Sequence, residues 1–318
     1  MIIFIEKQRN SPIMKFQKII FTILYMILPY IFYAQAESIF NDVKLNESLE
    51  NTVKKLNEIS KTVDTISVDN PNFPLAKLKE EHLVCSQVKT GNGIIDKAVF
   101  TFADDMLKYI EVRGNVQKVF VSKRMDTARV YLNYDVYVSD RLFLKKNKDV
   151  AWILTKEAMH TNLFAWDNPY IDLNYTDETE PNYSNKIPTF LKMGGSMDEL
   201  KPILEAKSNF TNTETLDGSD PNAQIQINCF GIDYLGFPRK IEARFGDDKL
   251  NVVWILTGKG EEDRIRRALI NQYGNPIFIN DDWEIFNDWQ VGLRKDKPEV
   301  LLMEKTIGLQ YKTSYFKQ

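Results

Sequence analysis

Along the second half of the chain, apolar and polar residues alternate in short, well-bounded runs. Ile225, Ile227 and Cys229 interleave with Gln224, Gln226 and Asn228, the period-two pattern of a strand with one buried face. The runs 237–245 and 250–256 flank Gly246-Asp247-Asp248 and predict a hairpin, because aspartate tolerates positive φ at a tight turn. Upstream, Ser196 reads as an N-cap, with Met197, Leu200, Ile203 and Leu204 on one face of a short helix. Downstream, a helix is expected over 261–273. It opens on Glu261, Glu262 and Asp263, which suit the positive end of the helix dipole, and stops at Gly274 and Pro276. Strands are expected next at 283–286, 290–293 and 300–305. The order is helix, three strands, helix, three strands.

The first half follows the same order. The stretch from Lys97 to Ile110 aligns 143 positions on with that from Lys240 to Val253, sharing lysine, phenylalanine, a double aspartate and leucine. Cys85 pairs with Cys229, Asp135-Val136-Tyr137 with Glu284-Ile285-Phe286, and Ser48-Leu49-Glu50 with Ser196-Met197-Asp198. Matches kept in one order predict an internal duplication. Its second helix is expected over 116–125, with strands at 131–138, 142–144 and 150–155. The first helix reads as longer. Leu45, Leu49, Leu56, Ile59, Val63 and Ile66 fall on a heptad frame, which suits either a short coiled coil or a helix lying across the sheet. Together these patterns predict an α+β fold of two tandem repeats, each an antiparallel sheet with helices packed on one face.

The N-terminus has a different composition. Lys15 and Lys18 precede an apolar run from Ile19 to Phe32, and Ala34-Gln35-Ala36 follows, the order of a secretory signal peptide cleaved after Ala36. The other reading of 19–36 is an uncleaved anchor. Met14 is a second candidate start, which makes residues 1–13 an upstream extension. The expected divisions are a signal peptide over 1–36, a first unit over 37–160, a linker over 161–189 and a second unit over 190–318. Export predicts a periplasmic or extracellular location, with no membrane span after cleavage. Removing 1–36 takes away four of the 41 basic and one of the 44 acidic side chains, leaving 37 against 43, net −6. That balance offers no basic field to a phosphate backbone and argues against nucleic acid as a partner.

Candidate chemistry is sparse. Two histidines, His82 and His160, and two distant cysteines leave no multi-histidine site and no four-cysteine cluster. Asp104-Asp105 and Asp247-Asp248 are carboxylate pairs, but both sit at expected hairpin tips. Asp281-Asp282 and the run 217–222 lack the ligand spacing of a calcium loop. Glu157, His160 and Asp167 form a loose acid–imidazole–acid group with no recognisable nucleophile beside it, and Ser139-Asp140 has no companion motif. No catalytic residue, metal or cofactor is therefore expected. Strand alternation points Cys85 and Cys229 into separate cores, which favours free thiols; a bridge requires the two sheets to meet at those strands.

The linker is the most unusual segment. It sets aromatic residues among acids and prolines, and Trp166, Tyr170 and Tyr175 are the candidate ligand-binding residues, suited to a sugar, a peptide or a basic partner. Alternatively its rings seal the gap between the two sheets. The stretch Phe245-Gly246-Asp247-Asp248-Lys249-Leu250, the helix end Tyr273-Gly274-Asn275-Pro276, then Trp283 and a strand around Val300, resembles small exported bacterial proteins of mostly unknown function. Their helix-plus-antiparallel-sheet units are similar to the fold of the β-lactamase inhibitor proteins. The first unit departs from the pattern, with Met125 in place of the glycine and Thr127 in place of the proline. The resemblance implies architecture and no active-site residues. The function expected is an exported, non-enzymatic binding protein that meets a protein or envelope component. The alternatives are a carboxylate-based hydrolase with its site between the units, and an envelope scaffold oligomerising through the helix 45–66.

Overall fold

The computed structural model describes residues 39–172, 186–296 and 299–316. The expected signal segment lies outside them. The first unit opens with helix α1 (Leu49–Ile59) and strands β1 (Thr62–Val68), β2 (Glu80–Thr90), β3 (Gly93–Ala103) and β4 (Met106–Arg113). A π turn (Gln117–Val121) leads to β5 (Arg129–Tyr131), β6 (Tyr134–Tyr137), β7 (Leu142–Lys145), β8 (Val150–Leu154) and helix α2 (Lys156–His160). The second unit repeats the plan. It comprises α3 (Met197–Lys207), β9 (Phe210–Thr215), β10 (Ile225–Tyr234), β11 (Phe237–Gly246) and β12 (Lys249–Leu256). Then come α4 (Glu262–Tyr273), β13 (Phe278–Ile279), β14 (Trp283–Phe286), β15 (Val291–Arg294), β16 (Glu299–Met303) and α5 (Lys305–Ser314).

Both sheets are eight-stranded and antiparallel, and their strand orders correspond: β1-β2-β3-β4-β8-β7-β6-β5 and β9-β10-β11-β12-β16-β15-β14-β13. The correspondence extends to irregularities. The ladder slips between Thr101 and Phe102 in the first sheet and between Arg244 and Phe245 in the second, 143 positions on. Asp104-Asp105 and Asp247-Asp248 turn the hairpins with φ of 49° and 64°, and 50° and 62°. Ser48 and Ser196 cap α1 and α3, accepting the N–H groups of Asn51 and Glu199. The expected α+β architecture of two tandem sheet-and-helix units is what the chain adopts.

The first sheet buries both faces, and the second buries its helix side and part of its back. On the helix side, Leu56 of α1 and Val119 and Phe120 of the π turn cover Leu83, Cys85, Ala98 and Phe100. Leu200 and Leu204 of α3 and Ile265 and Leu269 of α4 do the same for Ile227, Cys229, Ile241 and Ala243. Cys85 and Cys229 are thus buried free thiols in separate cores. On the opposite, back face, α5 lays Ile307 and Tyr311 over Val252, Trp254, Leu301 and Met303.

Several elements differ from the pattern reading. The helix expected over 45–66, on which the oligomerising scaffold depended, ends at Ile59, and 62–68 pairs with β2. Val63 and Ile66 share a helical face but lie three apart, so on a strand they part: Val63 packs with the helix-side core and Ile66 on the back. The helix expected over 116–125 is the single π turn, ended by β-branched Val121 and by Ser122, whose hydroxyl donates to the Lys118 carbonyl at 2.5 Å. The strand expected over 131–138 is a hairpin, since Leu132 takes φ 51° between β5 and β6. Strands β1, β9 and β13 were not visible as strands, so each half-sheet has four.

Candidate functional site

The described part of the linker runs along the back face of the first sheet and fills the seam between the units. Trp166 is buried, its ring 5.1 Å from that of Phe237 in the second unit and 5.6 Å from that of Phe73 in the first. Its carbonyl accepts from the Tyr109 hydroxyl at 2.8 Å and the Trp152 indole at 3.1 Å. Tyr170 lies against His82, with ring centroids 4.3 Å apart. Tyr175 lies outside the described residues. Of the candidate ligand-binding residues, Trp166 is thus buried at the seam and Tyr170 is half-buried against His82.

The linker is held as a strap over a buried polar group. Asn168 donates its backbone N–H to Glu111 at 2.7 Å, and its side-chain amide donates to Thr101 Oγ1 at 2.9 Å. Glu111 also accepts from Tyr109 and Arg113, and burial pushes its carboxyl up despite these bonds. Beside it, His82 Nε2 lies 2.9 Å from Glu80. Burial opposes the charge on Glu80, but His82 and the N–H groups of Phe73 and Asn72 more than offset it and hold the carboxyl below its ordinary range. Further along, Ile171 seats on Val84 and Val99, with Ile66 alongside, and Asp172 pairs with Lys97.

The loose group Glu157, His160 and Asp167 is split. Glu157 and His160 line a cavity of about 210 Å³ at the seam with Lys156, Thr161, Thr257 and Lys259, and His160 stands 3.7 Å from Glu299 of the second unit. Asp167 instead acts on Tyr109 and Arg113. Thr161 spends its hydroxyl on the Glu157 and Ala158 carbonyls at 3.2 Å, and neither serine nor cysteine lines the cavity. Among the described residues, no group of three or more His, Cys, Asp or Glu is placed to hold a metal.

The duplication draws attention to a surface that motif reading passed over. The back face of β9–β12 corresponds position by position to the strapped face of β1–β4. Ile66, Val84 and Val99, the seat of Ile171, become Glu214, Asn228 and Glu242. His82, Thr101 and Glu111 become Gln226, Arg244 and Trp254. The new residues bond to one another. Gln226 Nε2 donates to Glu214 and Asn228, and Asn228 Nδ2 to Glu214, each at 2.8 Å. Arg244 donates to Gln226 at 2.7 Å and to Glu242 at 2.9 Å, while Lys240 reaches Glu242 at 2.7 Å. Burial works against the Glu242 charge, yet Lys240 and Arg244 keep its carboxyl below the usual range. Gln226 and Asn228 are buried within the network, Glu214 is exposed, and the Arg244 side chain keeps 28% of its surface in solvent. Trp254, beside Arg244, has a buried indole nitrogen with no hydrogen-bond partner among the described residues.

No protein-family model matches this chain, and no curated protein or solved structure does either. Its class rests on architecture: an α+β protein of two tandem eight-stranded antiparallel sheets. Among the described residues, no helix is long and apolar enough to cross a membrane.

Proposed function

We propose that the chain is an exported, non-enzymatic binding protein that meets an envelope component through the back face of β9–β12. The observation that carries this reading is the divergence of two duplicated faces. One has an aliphatic seat and is closed by its own strap, whereas the other carries at the same positions a hydrogen-bonded polar network whose Glu214 and Arg244 reach solvent. Buried amides and ion pairs add little net stability and often cost some, so an apolar face serves folding better. Retaining such a network at a surface suits recognition. The resemblance of the second unit to exported inhibitor-type modules supports the same conclusion.

The test is a photo-crosslinking residue placed at Asn212, on this face, or at exposed Ile94 of the first sheet, in the cells that make the protein. One envelope-derived adduct from position 212, abolished by Asn228→Val with Glu242→Val and missing from position 94, is expected. Equal adducts from both positions refute the assignment of the face. Turnover of ester, phosphoester or glycoside substrates that Glu157→Gln abolishes refutes the non-enzymatic reading and restores the hydrolase.

A further inference from the structure

We propose that the β9–β12 face binds an uncharged oligosaccharide; this rests on the reading above that the face is the interaction surface. The second face lacks the features that hold the strap on the first. A peptide strap docks on the first sheet by placing Ile171 between Val84 and Val99 and an N–H on Glu111. In the second sheet the aliphatic seat is Glu214, Asn228 and Glu242, and the acceptor Glu111 is replaced by Trp254, which only donates. The copied mode of peptide docking is therefore closed there.

The polar groups of this face are specific. Two cations, Lys240 and Arg244, stand among two carboxylates, Glu214 and Glu242, so the formal charges cancel and neither a polyanion nor a polycation is favoured. Five planar groups are present: two amides, two carboxylates and a guanidinium. They are aligned by bonds of 2.7 to 2.9 Å to one another before any ligand arrives, which lowers the entropy cost of binding. Capacity remains. Among the described residues, Glu214 Oε2 and Arg244 Nη1 have no hydrogen-bond partner, and Glu214 and Arg244 both reach solvent. Donors and acceptors set side by side match vicinal hydroxyls, each of which gives and takes one bond. The half-buried Trp254 indole adds an apolar surface against which the C–H groups of a sugar ring can rest. Chain length follows from the geometry: the groups span four strands at about 4.8 Å spacing, roughly 14 Å, the reach of two or three sugar rings.

The experiment titrates purified protein with cellotetraose, xylotetraose, maltotetraose and chitotetraose. Tryptophan fluorescence and calorimetry provide the readout, with pentalysine and hexaglutamate as charged controls. A second arm sediments the protein with insoluble cellulose, xylan and chitin, to distinguish a free sugar from a polysaccharide surface. Binding of at least one neutral sugar in either arm, weakened about tenfold or more by Trp254→Ala and Arg244→Ala, is expected. Asn228→Val, which restores the residue of the first sheet, should weaken it likewise while leaving the thermal transition in place. Silence in both arms, binding by the charged peptides alone, or sugar binding untouched by all three substitutions overturns the inference. A persisting, substitution-sensitive crosslink from position 212 then preserves the binding surface with another ligand, whereas its loss removes both proposals together.

Discussion

Gln87 and Gly231 stand at corresponding points of β2 and β10, and both take positive φ, 46° and 87°. Gly231 is the residue at which the β10–β11 register slips, and a Cβ built there meets the Asn209 side chain at 2.4 Å. Gly231→Ala is therefore expected to destabilise by about 1–3 kcal/mol in urea unfolding. Gln87→Gly should stay within about 0.5 kcal/mol of the parent, because relief of strain is offset by the chain entropy of glycine. A large loss at Gln87 would refute the correspondence of the two sites.

Asn168 is the pin of the strap, since its amide reaches Thr101 and His82 while its Oδ1 accepts the Tyr170 N–H at 2.8 Å. Truncation to alanine leaves buried partners unsatisfied, at a cost of about 2–4 kcal/mol. Hydrogen exchange should quicken in 166–172 and in β2 and β3 while β10–β12 keep their protection. Uniform quickening across both sheets would show that the strap does not act locally.

Acid stability divides between two buried carboxylates with opposite shifts. Glu80 has a folded pKa below the unfolded value of about 4.3, so its contribution is present above that value and lost as pH falls through the folded one. Glu111 is raised, so the folded state takes up its proton first and gains stability as pH falls through that raised value. Glu80→Gln should flatten the acid limb of a stability–pH curve, and Glu111→Gln should steepen it. Denaturant midpoints between pH 3 and pH 6 read both slopes.

Burial pushes the Cys85 thiol up to about 12 and that of Cys229 up to about 11, which leaves almost no thiolate at neutral pH. Native protein should resist an aromatic disulfide reagent, and both thiols should react together on unfolding. Fast reaction of either one in the native state would place it outside the core.

Gly260 lets the units approach, for a Cβ there would lie 2.3 Å from the Leu75 carbonyl carbon, and its N–H donates to the Pro74 carbonyl at 3.0 Å. Nearby, Arg239 and Glu261 form a buried two-point pair at 2.5 and 2.8 Å. Gly260→Ala should cost about 1–3 kcal/mol by overpacking, and Glu261→Ala about 3–5 kcal/mol by stranding the arginine. Calorimetry is expected to show the Gly260 variant melting in two steps rather than one; an unchanged single transition contradicts this account of the seam.

Local chemistry made much of the architecture legible without coordinates. Ser48 and Ser196 announce helix starts, the paired aspartates announce turns, and alternation around Cys229 announces a strand, because each effect acts within a few residues. Polar edge strands escaped the same reading. Phe210–Thr215 has little apolar alternation and exists because β10 offers it an open ladder, and Thr62–Val68 hides behind a heptad that α1 follows only to Ile59.

What the chain encodes by itself is the duplication, the strand and helix order and the burial of its two thiols, all set by short-range period and by spacing. Which back face is strapped and which is left polar was decided only in three dimensions. Residues 84, 99 and 171, like 214, 228, 242 and 254, are far apart along the chain, and only strand register gathers them onto one surface.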